Sequence, residues 1–190
     1  MGAWSSASAG KYHTCGVAQA DGAMHCWGYN GDGQTTVPSH VSAWASVSSG
    51  GYYTCGIARD DGAMHCWGRN SNGQTTVPGG VGEWSSVSAG WYHTCGIARG
   101  DGAMHCWGDD NYGQTDVPSG VDAWSYVSTG GEHTCGIAQA DGAMYCWGYN
   151  ANGQTDVPSG VSAWSSVSAG SYHNCGIAQA DGSLHCWGYN

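Results

Sequence analysis

Ten cysteines and nine histidines are the residues of this chain with the most chemistry in reach. Cys15 and Cys26 stand 11 residues apart, and the spacing recurs as Cys55–Cys66, Cys95–Cys106, Cys135–Cys146 and Cys175–Cys186. Zinc sites usually use close ligand pairs such as Cys-x-x-Cys, which this pattern lacks. The regular pairs read instead as one disulfide per copy, formed in an oxidising compartment. His13 and His25 recur together, but Tyr53 replaces the first in the second copy and Tyr145 the second in the fourth. Tyrosine keeps a ring and a polar tip while losing the imidazole ligand, so these histidines read as packed, hydrogen-bonded groups and no metal is expected. Asn and Asp near Gly33, Gly73, Gly113 and Gly153 fit turn chemistry, without the full pattern of a calcium loop. There is no Gly-x-Ser-x-Gly elbow, phosphate loop or His-Glu-x-x-His helix, so neither catalysis nor a cofactor is expected.

The elements that carry these residues repeat every 40 positions without insertion or deletion, the mark of a propeller or solenoid. Units 1–30, 41–70, 81–110, 121–150 and 161–190 form a single repeat domain. Connectors 31–40, 71–80, 111–120 and 151–160 each carry Gly-Gln-Thr-x-Val-Pro. With 34 glycines, 9% charged residues and no helical apolar period, the chain is all-β. Each unit predicts three strands, exemplified by 44–48, 53–58 and 63–67, with Asp61-Gly62 turning the second hairpin. That register sets Cys55 opposite Cys66 and puts Ile57 and Met64 on their face. Trp67 then faces Thr54, and His65 faces Gly56, on the other side. Neither face is polar, so both await cover from neighbouring copies, as in a five-bladed β-propeller of three to four short antiparallel strands per blade. Gly-Gln-Thr-x-Val-Pro is the candidate fourth strand.

The formal charge of −10, with only Lys11, Arg59, Arg69 and Arg99 positive, excludes a phosphate-tracking nucleic-acid surface. It also disfavours an acidic membrane surface, and no apolar run reaches spanning length. The cysteines point to a secreted or extracellular protein. No signal peptide precedes Met1, so secretion implies one that was removed or lies outside this sequence.

Residues 89–121, with Trp-Tyr-His-Thr-Cys-Gly-Ile-Ala, Asp-Gly-Ala-Met-His-Cys-Trp-Gly and Asn-Tyr-Gly-Gln-Thr-Asp-Val-Pro, resemble the repeat of the regulator of chromosome condensation family. The resemblance extends over the whole chain and is nearer to the secreted bacterial branch typified by the BLIP-II-type β-lactamase inhibitory protein. It implies a β-propeller used as a rigid binding scaffold without chemistry of its own. Relatives usually have seven repeats and lack the regular cysteine pairs. Five repeats therefore leave open a small closed propeller, an open arc or an oligomeric ring.

Up-down-up strand order puts the loop between strands one and two at the same end as the exit from strand three. This rim varies between copies, whereas the Asp-Gly end hardly changes. Its candidate ligand residues are Tyr12, Tyr29, Asn30, Tyr52, Asn70, Trp91, Tyr92, Asp109, Asp110, Tyr112, Tyr149, Asn150, Tyr172 and Tyr189. In the secreted relatives the corresponding loops carry aromatic and acidic partner contacts. Trp91 alone lies outside the two tryptophan series, Trp4/44/84/124/164 and Trp27/67/107/147/187, which read as core. Near-identical copies favour a lectin-like propeller with equivalent carbohydrate sites on every blade. The alternative is a protein-binding module or inhibitor using one patch of Trp91, Tyr92, Tyr112, Asp109 and Asp110. The third reading is a structural repeat module without a small ligand.

Overall fold

A computed structural model describes residues 2–189. Fifteen strands fall into five three-stranded antiparallel sheets with no helix among the described residues. The first sheet is β1 (Trp4–Ala9), β2 (His13–Ala18) and β3 (Met24–Gly28); the second is β4 (Trp44–Ser49), β5 (Tyr53–Ala58) and β6 (Met64–Gly68). The third comprises β7 (Trp84–Ala89), β8 (His93–Ala98) and β9 (Met104–Gly108). The fourth comprises β10 (Trp124–Thr129), β11 (His133–Ala138) and β12 (Met144–Gly148). The fifth comprises β13 (Trp164–Ala169), β14 (His173–Ala178) and β15 (Leu184–Gly188).

Local chemistry sets each sheet. In the second hairpin Ala58 N–H donates to Ala63 O, closing a four-residue loop whose Gly62 takes φ 67°. The Asp61 carboxylate accepts from Ala63 N–H at 3.0 Å, an Asx turn. Cys55 pairs with Cys66 across the ladder, their Cα atoms 4.1 Å apart, and all five copies form this bridge. A bulge follows the first tryptophan of every sheet. There the Ser85 hydroxyl donates to Ile97 O at 3.0 Å, and Ser5, Ser125 and Ser165 do the same in their own sheets.

Neighbouring sheets bury their facing sides against each other. Ile57 and Met64 of the second sheet pack with Trp84 and Trp107 of the third, and Val77 of the intervening connector and Val81 just after it fill the seam. The expected fourth strand is not formed. Connector residues instead make tight turns whose glutamine backbone serves the next sheet. Gln34 O accepts from Thr54 Oγ1 at 2.9 Å and from Trp67 Nε1 at 3.0 Å. Gln74 and Gln114 repeat the arrangement, and Gln154 does so with Asn174 and Trp187.

The stack is an open arc. Trp4 and Trp27 are 50% and 51% exposed, against 1% for Trp44 and Trp84. At the other end Ile177 and Leu184 are 39% and 66% exposed, where Ile57 and Met64 are buried. The outer faces of the first and last sheets are thus uncovered, which decides against a ring closed within the described residues.

Candidate functional site

The turn between the first two strands and the exit from the third are joined in every sheet. Tyr29 N–H donates to Tyr12 O, Arg69 to Tyr52, Asp109 to Tyr92, Tyr149 to Glu132 and Tyr189 to Tyr172. The two loops therefore share one rim, as strand order requires. The five turns gather around a cavity of 370 Å³ bordered by Gly10, Gly50, Gly90, Gly130 and Gly170. Glycine is needed there because a Cβ on Gly90 would lie 2.7 Å from Gly130 O and 2.8 Å from His93 Cε1. Backbone bonds such as Gly51 N–H to Gly90 O, 3.0 Å, tie neighbouring turns together.

Histidines support this rim from below. His13 Nε2 lies 2.8 Å from Thr54 Oγ1, and that hydroxyl donates its proton to Gln34 O. The hydroxyl must then accept, so His13 carries its proton on Nε2. His93 with Thr134, 2.9 Å, and His133 with Asn174 Oδ1, 2.7 Å, follow the same logic. In the second sheet Tyr53 takes over, donating to His93 O at 2.5 Å with Thr94 Oγ1 2.9 Å away. Burial lowers all three histidine pKa values and takes His93 to about 3, with repulsion from His133 adding to the shift. Burial likewise raises the Tyr53 phenol far above its ordinary value. Neutral, hydrogen-bonded posts fit the sequence reading of these residues.

Above them the exposed side chains are unequal. Tyr12, Tyr29 and Tyr52 form a triangle with centroids 5.4 to 6.4 Å apart around a hollow of 270 Å³. Lys11 Nζ sits 5.4 Å from the Tyr12 ring, 5.9 Å from Tyr52 and 5.0 Å from Trp91, and Arg69 caps Tyr52 at 5.2 Å. Trp91 meets Tyr172 edge to face at 5.6 Å and Tyr92 at 6.4 Å. Desolvation, a hydrogen bond to Tyr12 and that neighbour's charge raise the Tyr52 pKa, while Lys11 opposes them. Six of the candidate aromatics, from four different sheets, thus form one continuous patch through Lys11.

The remaining candidates do other work. Asp109 accepts from Asn72 Nδ2, Asn111 Nδ2 and Gln114 Nε2 at 2.8 to 2.9 Å, so its carboxylate holds two connectors in place. Burial, and then the charge of Asp109, raise the pKa of nearby Glu132. Tyr112 packs on Tyr149 at 4.8 Å, apart from Trp91. The Asn30, Asn70 and Asn150 carbonyls accept from the amides of Thr35, Thr75 and Thr155, and Asp110 does so from Thr115. Their amide groups are also engaged, by Thr36, Thr76 and Asp156. Tyr189 is 66% exposed at the edge of the last sheet. Sequence reasoning omitted Lys11 and Arg69 from the site, although both occupy variable rim positions and are two of only four cations.

The profile of the regulator of chromosome condensation (RCC1) repeat matches residues 4–34, 44–74, 84–114, 124–154 and 164–190. The chain belongs to the RCC1 repeat family. No curated protein matches its sequence. Among solved structures, this RCC1-repeat chain is similar to the ectodomain of the Physcomitrella patens receptor kinase CR4, at 29% identity and TM-score 0.80 over 97% of the chain. It is similar to the ectodomain of the Arabidopsis thaliana receptor kinase ACR4, at 30% identity and TM-score 0.76 over 96%. It spans 50% and 62% of those two structures. Saccharomyces cerevisiae Prp20p, described with its binding to Gsp1p and histones, shares the fold at 16% identity and TM-score 0.78, over 96% of this chain and 56% of its own.

Proposed function

We propose that this RCC1-repeat chain is a non-catalytic protein-binding module whose contact surface is the aromatic rim shared by its first, second, third and fifth sheets. One observation carries the reading: Tyr12, Tyr29, Tyr52, Trp91, Tyr92 and Tyr172 form one patch, whereas the blades do not present equivalent sites. Large rings with few rotatable bonds, set in a rigid frame and joined by an arginine, are the composition of interface hot spots. A lectin with one equal site per blade would use the rim asparagines as its recurring donors. Each amide spends one of its two N–H donors, and its carbonyl, on holding a connector, so its orientation is set by the fold and one donor is left, which weighs against that reading. The five disulfides fit an oxidising setting, and the two receptor-kinase relatives are ectodomains, which supports an extracellular placement.

A panel of secreted and surface proteins, screened beside a glycan panel by calorimetry, tests the proposal. The expected result is a protein ligand bound once per chain, with affinity reduced about tenfold or more by Trp91→Ala. Several equal glycan sites per chain, unaffected by that substitution, would restore the lectin.

A further inference from the structure

We propose, resting on that reading, that the rim receives an acidic segment of its protein partner, clamped by Lys11 and Arg69. The chain holds 14 carboxylates and four cationic side chains, so a bare cation is scarce on its surface. Among the described residues the one ion pair is Arg99 with Glu83, 3.4 Å, leaving Lys11 and Arg69 without a carboxylate. Both cations stand on aromatic rings instead, and both touch Tyr52. A ring attracts the charge through its face and leaves N–H donors over: three on an ammonium, five in a guanidinium fork.

The copies reinforce the point. The positions equivalent to Lys11 hold Gly51, Trp91, Gly131 and Ser171; those equivalent to Arg69 hold Tyr29, Asp109, Tyr149 and Tyr189. Cations thus occur once at each position, in adjoining sheets, on the same tyrosine. A basic or methylammonium ligand would have to displace Lys11 and then lie beside Arg69. A carboxylate meets two unpaired donors already in place, and Arg offers it a bidentate contact. The hollow between Tyr12, Tyr29 and Tyr52 then takes an aromatic or aliphatic neighbour of that carboxylate. The acids Asp109, Asp110 and Glu132 lie on the third and fourth sheets, while the first and second carry both cations and one rim acid, Asp32, so the charge is graded along the rim and orients the incoming segment.

Selection of a random peptide display library on the full chain tests this, using wild type and the Lys11→Glu/Arg69→Glu double variant, with Trp91→Ala as a second variant. The expected peptides are rich in Asp and Glu beside an aromatic residue. Their affinity should fall with added salt and drop about tenfold or more in the double variant, as for other charge-clamped contacts. Peptides that need Trp91 but are basic or uncharged would overturn the acidic-segment inference while leaving the protein-binding reading standing. Failure to select any peptide sensitive to Trp91→Ala would overturn both.

Discussion

Adding one methyl group to the same motif in two sheets should have two different results. Gly16 and Gly96 each follow His-Thr-Cys in the middle strand and face the first tryptophan of their sheet. A Cβ on Gly96 would lie 2.6 Å from Trp84 Cζ3, 2.7 Å from its Cε3 and 2.8 Å from Met64 Cε. Trp84 is 1% exposed, boxed in by the second sheet, and has nowhere to go. Overpacking of this kind costs about 1–3 kcal/mol. The restricted unfolded chain of an alanine variant returns about 0.4–1 kcal/mol. The net loss for Gly96→Ala therefore lies between about 0 and 2.6 kcal/mol, centred near ~1.3, or roughly 3–5 °C in Tm at that centre for a domain of this size. A Cβ on Gly16 meets Trp4 at 2.8 and 2.9 Å, but Trp4 is 50% exposed and free to tilt outward. Gly16→Ala should stay within about 0.5 kcal/mol of the parent. Gly100→Ala, with nothing within 4 Å of the added carbon, is the control for the unfolded-chain contribution. Thermal and urea unfolding read all three. Equal losses at Gly16 and Gly96 would refute the claim that stacking of neighbouring sheets, rather than the sheet itself, fixes the tryptophan.

Stability should decline in acid. His13, His93 and His133 have folded pKa values below the unfolded value of about 6.5, so the unfolded chain takes up more protons as pH falls. Their contribution is complete above pH ~6.5 and is lost progressively towards the folded value of His93, about 3. Urea midpoints measured from pH 7.5 down to 4 should fall, and His93→Tyr, copying Tyr53, should flatten the slope; an unchanged slope would contradict the buried neutral imidazole. Reduction under native conditions should begin at Cys175–Cys186, where Cys186 is exposed, while Cys15, Cys55, Cys95 and Cys135 are fully buried. Timed alkylation with mass spectrometry orders the bridges, and earlier opening of Cys95–Cys106 would refute that order.

Much of the fold was already present in the linear pattern, for physical reasons. A 40-residue period, an Asp-Gly turn and cysteines 11 apart fix strand register locally, because a hairpin's pairing follows from its turn. Two nonpolar faces per sheet required stacking, and Tyr53 in place of a histidine already spoke for hydrogen bonding over metal binding. The Gly-Gln-Thr-x-Val-Pro connector is a candidate strand in the sequence and folds as turns in the structure because its partners, Thr54 and Trp67, lie 20 and 33 residues beyond Gln34. The rim asparagines looked available for the same reason: their acceptor and donor roles close only when the connector folds back on itself.

What the sequence alone determined is therefore the repeating sheet: its strands, its bridge, its two apolar faces and the rim on which variation falls. Which rim residues act together was decided only by the tertiary structure. Lys11, Tyr52, Arg69 and Trp91 are spread over 81 residues, and stacking of three sheets sets them around one another. Local turn chemistry can place a side chain on a rim, but the angle between successive sheets decides which neighbours it meets there.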